Sequence, residues 1–358
     1  MLRHMLVLTA FTLGGLQGFA HAASFPGGSE GGAPLNLEQG HPGQEPGASA
    51  DIGNTSIQAL TAGSGGVIYA GSFGRGIFRS ADRGGSWTSA NQGLTDPFVL
   101  CLTTGKDGAI YAGTFRGGVF RSRDGGKIWQ PVNKGLKRLE IKALMMDAKG
   151  LYAGTGDGVY LLNAAQDQWK VVSTGLDEIL VHALARTDDG TLYAGTSGKG
   201  VHSYKERSTG WTRLRQGLRD HEGLVENFIR VLAVDKEQGV YAGTFDGGVF
   251  RSGDAGKTWS PISRALPNDS IRGLISNERG VYVATGRGIF KTVDKGRQWV
   301  PLNKGLSNLS VQVLIEGEKG GFYAGTSSGV FRSDDDGLTW TAVSQGLEGE
   351  SVAPFKFN

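Results

Sequence analysis

Apolar and polar positions alternate along most of this chain in short runs, and the runs come in sets of four. The clearest set reads Ile229 to Val234, Gly239 to Thr244, Gly248 to Ser252 and Thr258 to Ile262. Alternation with a period of two puts one set of side chains on each face of a β-strand, and the Gly, Asp and Asn clusters between runs are turn residues. The connections are too short for a helix, so the pattern predicts antiparallel four-stranded meanders.

The set repeats along the chain. The phrase Tyr-Ala-Gly begins at Tyr69, Tyr111, Tyr152, Tyr193 and Tyr241, returns as Tyr-Val-Ala at Tyr282, and recurs at Tyr323; the intervals are 42, 41, 41, 48, 41 and 41 residues. All 7 Trp fall in one register of the same repeat, at Trp87, Trp129, Trp169, Trp211, Trp259, Trp299 and Trp340. A period of about 40–45 residues with four strands per unit is the mark of propeller blades. The prediction is an all-β fold, a seven-bladed β-propeller of four-stranded antiparallel blades over residues 56–350, its ring closure removing the sheet edges of an open array. Both Ser56 to Leu60 and the segment 351–358 read as an innermost strand that could close the ring. Pro354 lacks an N–H and suits only an edge position there.

A second phrase recurs between the third and fourth runs. It reads Ser80-x-Asp82-x-Gly84-x-Ser86-Trp87 in the first unit, with counterparts around Asp124, Asp254, Asp294 and Asp335; units three and four keep only Trp169 and Trp211. The physics is local. A short carboxylate accepts from the exposed N–H groups of a hairpin turn, Gly supplies an unusual φ, and the Trp body packs beneath. One Asp per blade cannot converge on a single site, so these five are read as structural rather than metal-binding or acid–base groups. The phrase resembles the Asp-box, or bacterial neuraminidase repeat. That superfamily includes sialidases, xyloglucan-type endoglucanases, sortilin-like receptor domains and photosystem II assembly- or stability-factor-like propellers. The Tyr-Ala-Gly-Thr and Phe-Arg-Ser phrases are most similar to the last of these. The resemblance implies the fold and says little of function.

The ends and the composition narrow the class. Residues 1–22 read as a signal peptide: Arg3 and His4, an apolar run from Met5 to Leu16 too short to span a bilayer, and the small-x-small site Ala20-His21-Ala22. The protein is therefore expected in the periplasm or outside the cell, without membrane insertion after cleavage. Residues 23–55, rich in Gly, Pro, Ser and Glu, read as a flexible linker. The net charge of +3 falls by the one charge of Arg3 on cleavage, too weak a balance to imply nucleic acid. The single Cys, Cys101, lies in an apolar run and reads as an inert core thiol. No metal site and no cofactor are expected, since His41, His182, His202 and His221 show no ligand spacing.

Function then falls to the loops. In a propeller the B–C and D–A loops (between second and third strands, and between one blade and the next) share one face, and the Asp-box turns occupy the other. The B–C tips vary: Phe73 and Arg75, Phe115 and Arg116, Asp157, Lys199, Phe245 and Asp246, Arg287, and Ser328. Loops that vary on a rigid scaffold are where binding concentrates. Phe and Arg together suit protein or glycan contacts, although the Phe side chains also read as packing between blades. The long interval comes from an insertion around Arg219 to Glu226 that includes His221, either a recognition element or a harmless extension. Arg79, Arg121, Arg251, Arg332 and Lys291 alternate with buried aromatics and are expected on a solvated strand face.

Enzyme readings fare poorly. Gly325-Thr326-Ser327-Ser328-Gly329 is a hairpin and not a nucleophile elbow. A sialidase needs an Arg triad, into which Arg75, Arg116 and Arg287 have to be forced. A xyloglucanase-like site needs two carboxylates across a cleft, and Asp157 and Asp246 stand two blades apart. The expectation is a monomeric, non-catalytic binding or scaffold propeller, assembly- or stability-factor-like, that recognises a protein partner through its B–C/D–A face. A carbohydrate-binding or glycoside-hydrolase/sialidase-like propeller is the alternative.

Overall fold

Seven four-stranded antiparallel sheets account for every described strand of the computed structural model, each built from four strands consecutive in sequence. The described residues run from 55 to 347, apart from 164, 166, 173, 215, 219–227 and 268–269. The expected signal peptide, the linker up to residue 54, the insertion with His221 and the segment 351–358 lie outside them. In the first blade the strands are Ile57–Ala62 (β1), Ile68–Ser72 (β2), Ile77–Ser80 (β3) and Thr88–Ser89 (β4). The innermost strands of the other blades are Val99–Thr104, Ile141–Met146, Val181–Arg186, Ile229–Val234, Ile271–Asn277 and Val311–Glu316.

Each innermost strand packs beside the next, and Val311–Glu316 packs beside β1, so the ring is closed. The first blade draws its innermost strand from residue 57 onward and the seventh is complete from 311 to 342. Closure among the described residues is therefore by packing and hydrogen bonds between whole blades. Ile57, Leu60, Ile68, Tyr323, Val330 and Leu347 share one buried cluster across the seam. The Thr55 hydroxyl donates to the Leu347 carbonyl at 2.9 Å, and Trp87 Nε1 to that of Val343 at 2.6 Å.

The recurring phrases are explained by blade-to-blade contact. The Gly of Tyr-Ala-Gly faces the first residue of the next innermost strand, a β-branched side chain that is fully buried in all seven blades. A Cβ on Gly71 would stand 2.5 Å from Val99 Cγ1, and one on Gly243 2.6 Å from Ile271 Cγ2. Blade six carries Ala284 at this position and compensates with Gly273 on its innermost strand, where its neighbours have Ala, Cys or Val; a Cβ there would meet that of Ala284 at 3.2 Å. The Trp does more than pack beneath its own turn. Trp129, Trp169, Trp299 and Trp340 donate Nε1 to the carbonyls of Ala90, Val132, Ile262 and Leu302 in the preceding blade, at 2.6–2.9 Å. The Gly of the Gly-Leu loops lies against the next blade's Trp: a Cβ on Gly93 (φ 84°) would come within 2.3 Å of the Trp129 carbonyl.

The expected solvated cation row is corrected at three of its five members, Arg121, Arg251 and Lys291. Arg121 is buried and paired through two hydrogen bonds with Asp167, at 2.6 and 3.0 Å. Arg251 is half-buried, bonded to the Tyr241 hydroxyl and Asp235, and Lys291 lies over the Tyr282 ring and pairs with Asp336. The blades are close enough that a long cation lies along the aromatic and reaches a carboxylate, often in the next blade, instead of water.

Candidate functional site

The B–C and D–A loops are knitted into one surface. The buried hydroxyl after each Tyr-Ala-Gly holds the B–C turn: Ser72 Oγ donates to the Gly76 carbonyl and accepts from Arg75 N, both at 3.0 Å, and Thr114 does the same in blade two. The D–A loop braces the turn from outside. Asn91 Oδ1 accepts from Ile77 N at 2.7 Å while its Nδ2 donates to the Arg75 carbonyl at 3.1 Å. Between blades, buried Asp96 accepts from Arg116 N and Gly117 N at 2.6 and 2.7 Å. Rigid loops of this kind are suited to present side chains in fixed positions.

At the centre of this face every innermost strand carries a β-bulge at its second residue: Gln58, Leu100, Lys142, His182, Arg230, Arg272 and Gln312 stand unpaired against their neighbouring strands. A bulge turns a side chain out of the ladder, and all seven are part-exposed although the residue before each is fully buried. They form a ring at the mouth of the central channel, with a run of basic side chains through blades three to six. Their side chains touch the B–C loops. Lys142 lies 5.7 Å from the Phe115 ring centre and Arg230 5.6 Å from that of Phe245, and His182 Nε2 is 2.6 Å from Ser197 Oγ. Lys142 also pairs with Glu140 at 2.8 Å. Arg272 bonds Ser310 Oγ at 3.0 Å, while its Nε is buried without a partner. Burial, with Arg272 beside it, pushes Arg230 down to about 10. Burial and the charges of Lys142 and Arg230 push His182 down to about 3, so its imidazole is neutral at neutral pH. Sequence reading missed this ring, yet it left a signal: a polar residue in the second place of an otherwise apolar run, as in Ile141-Lys142-Ala143-Leu144 and Ile229-Arg230-Val231-Leu232.

The predicted tips fall around that mouth. Phe73 is 39% exposed, with its ring 4.8 Å from Phe98 and 6.4 Å from Phe115, so it both packs between blades and faces solvent. Arg116 is exposed and lies over the Phe115 ring at 5.1 Å. Phe245 is 38% exposed and packs on Phe228 at 5.6 Å. Lys199, Asp246 and Arg287 are exposed and Arg75 is half-buried. Asp157 is occupied internally: it accepts from the Tyr160 hydroxyl at 2.9 Å and from Glu178 N, and pairs with Lys137 at 3.3 Å. Cys101 is half-buried, and desolvation pushes its thiol up to about 12, which leaves it a poor nucleophile. No group of three or more His, Cys, Asp or Glu side chains that could hold a metal ion occurs among the described residues.

On the opposite face the Asp-box turns have the expected geometry. Asp82 Oδ1 accepts from the Ser80 hydroxyl at 2.7 Å and from Ser86 N at 2.9 Å, and Oδ2 accepts from the Ser86 hydroxyl at 2.7 Å. Asp124, Asp254, Asp294 and Asp335 repeat the backbone contact at 2.9–3.0 Å. These bonds favour the charged form and hold Asp82, Asp254 and Asp335, which also accept from a following Ser or Thr hydroxyl, at about 2. Each carboxylate is spent within its own turn. The same face holds a cavity of about 790 Å³ lined by Lys106, Asp147, Lys149, Tyr152, Leu161 and Arg186, beside blades three and four where the Asp-box is missing.

The BNR-Asp box repeat family matches at residues 77–90, the stretch holding Asp82 and Trp87. No curated protein matches the chain in sequence. Among solved structures, an extracellular domain of a hybrid two component system from B. thetaiotaomicron is similar at a TM-score of 0.67 and 20% identity, over 79% of this chain and 39% of that one. The Niastella koreensis GH74 enzyme aligns at 0.63 and 14%, over 82% of this chain and 55% of that one. YCF48 from Cyanidioschyzon merolae aligns at 0.59 and 14%, over 78% of this chain and 95% of that one. The chain thus spans less than half the length of the B. thetaiotaomicron protein and nearly all of YCF48. Likeness at identities this low shows the fold alone: the chain is a seven-bladed β-propeller, with a match to the BNR-Asp box repeat in its first blade.

Proposed function

We propose that this propeller is an exported, non-catalytic binding scaffold that recognises a protein partner through its B–C/D–A face. The observation that carries the reading is a set of aromatics and arginines on braced loops: exposed Phe73 with half-buried Arg75, half-buried Phe115 under exposed Arg116 in the adjacent blade, and exposed Phe245 across the mouth. Rigid aromatic and Arg anchors are the groups that dominate protein recognition. The likeness to an extracellular domain supports an exported setting, and a YCF48 structure bound to D1 peptide is an instance of this fold holding a polypeptide. A glycan-processing reading draws on the likeness to a GH74 enzyme. It meets the difficulty that Asp157, the less exposed of the two B–C tip carboxylates, is already bonded to Tyr160 and Lys137, so it does not supply half of a carboxylate pair.

The test is crosslinking and pull-down in the native host with the parent and with a Phe73/Arg75/Phe115/Arg116 quadruple alanine variant. A partner recovered by the parent and lost by the variant supports the reading; unchanged recovery removes the patch from it. Turnover of any member of a fluorogenic glycoside panel by the purified protein overturns the non-catalytic assignment.

A further inference from the structure

The cationic arc at the channel mouth is expensive to fold. Arg230 and Arg272 come from adjacent blades, both part-buried, and neither has a carboxylate partner among the described residues. Arg272 keeps a buried Nε–H without an acceptor. Two neighbouring guanidinium groups repel, and a buried donor left unmade costs the full desolvation of that group. Elsewhere in this protein part-buried cations find carboxylates: Arg121 with Asp167, Arg186 with Asp147, Arg251 with Asp235. The bulges at positions 230 and 272 aim the two arginines into the mouth, where the Phe245 ring covers the Arg230 guanidinium and the Gly286 turn approaches that of Arg272. Around them stand neutral hydrogen-bonding groups, Ser310 Oγ and the Gln312 amide on one side and His182 on the other.

The geometry points to an oxyanion site at the mouth of the channel between blades four and seven, in which Arg230 and Arg272 together bind a small ligand carrying two or more negative charges, such as phosphate, sulfate or a dicarboxylate. Guanidinium forks match the planar edge of a carboxylate and two oxygens of a phosphate, and charge-assisted bonds of this kind are the stronger class. The ligand supplies the negative charge the arc is missing, and the buried Nε–H of Arg272 marks how far that guanidinium is already withdrawn from water. Neutral His182 adds no charge of its own, while Lys142, tied to Glu140, sets the far edge. The site does not depend on any protein partner.

Calorimetric titration with inorganic phosphate, sulfate and succinate, each against sodium chloride of equal ionic strength, tests it on the whole protein. At least one of the three is expected to bind saturably at or below about 1 mM and to raise the melting temperature. Arg230→Gln and Arg272→Gln are each expected to weaken that binding by about tenfold or more. Lys127→Gln, exposed in an Asp-box turn on the opposite face, leaves it unchanged. In chloride alone Arg230→Gln melts no lower than the parent, because it removes a repulsion, and this distinguishes loss of the site from loss of the fold. Comparison of phosphate with succinate separates a phosphate ligand from a carboxylate one. Absence of saturable binding by all three anions, or binding that survives in both arginine variants, overturns the assignment.

Discussion

Replacing Gly243 by Ala tests the idea that the repeat phrases are set by the next blade. The new Cβ would lie 2.6 Å from Ile271 Cγ2, 2.9 Å from Ile271 Cβ and 2.6 Å from Val231 Cγ1. Carbon atoms rest at about 3.5–4.0 Å, so the neighbours must retreat by about 1 Å. Ile271 is fully buried at the start of its strand, and both side chains are β-branched and stiff at χ1. Overpacking of this kind costs about 1–3 kcal/mol, partly offset by the lower chain entropy of unfolded Ala, about 0.4–1 kcal/mol. The measurement is urea unfolding with the midpoint and slope fitted separately. Gly243→Ala should move the midpoint down at constant slope. Gly156→Ala, where the nearest atom is Arg138 Cγ at 3.8 Å, should be neutral or slightly stabilising. Val231→Ala should rescue part of the Gly243→Ala defect, with a coupling of about 1 kcal/mol. A Gly243→Ala protein as stable as the parent, or strict additivity with Val231→Ala, would refute the reasoning.

Two further outcomes follow from the same geometry. Ala255, between the Asp and Gly of its Asp-box, has φ 60°, so Ala255→Gly should stabilise by up to about 1 kcal/mol; a lower urea midpoint for the variant would contradict this. His182 is held down to about 3 by burial and by Lys142 and Arg230, whereas an unfolded His titrates near 6.5. Between those values the unfolded chain binds a proton that the fold refuses, so stability falls as pH drops from about 6.5 toward 3, by on the order of a few kcal/mol at the end. His182→Gln should flatten that part of the pH profile of the urea midpoint, and parallel profiles for parent and variant would refute the assignment.

The blade count and strand order were legible in the sequence because each unit carries its own period-two pattern and its own turn chemistry. The Asp-box was legible for the same reason: Asp82, Ser80 and Ser86 meet within a single turn. The variable tips could be located on their loops, but the state of each could not. Whether Asp157 is free or bonded to Tyr160 and Lys137 depends on how the next strand of its own hairpin and the loop preceding its blade come together. Arg121 looked like a surface residue from alternation alone, yet its partner Asp167 comes from the next blade.

What the sequence determined by itself is everything fixed within about 40 residues: strands and hairpins with their sevenfold repetition, and the aspartate turns of five blades. The tertiary structure decided what depends on one blade meeting another. It set the glycines that make room for the next innermost strand, the Trp N–H that bonds the preceding blade, and the bulges that gather Lys142, His182, Arg230 and Arg272 at one mouth. The physical reason is that alternation and turn propensity act between sequence neighbours, whereas steric clearance, desolvation and charge act between whatever the ring brings together.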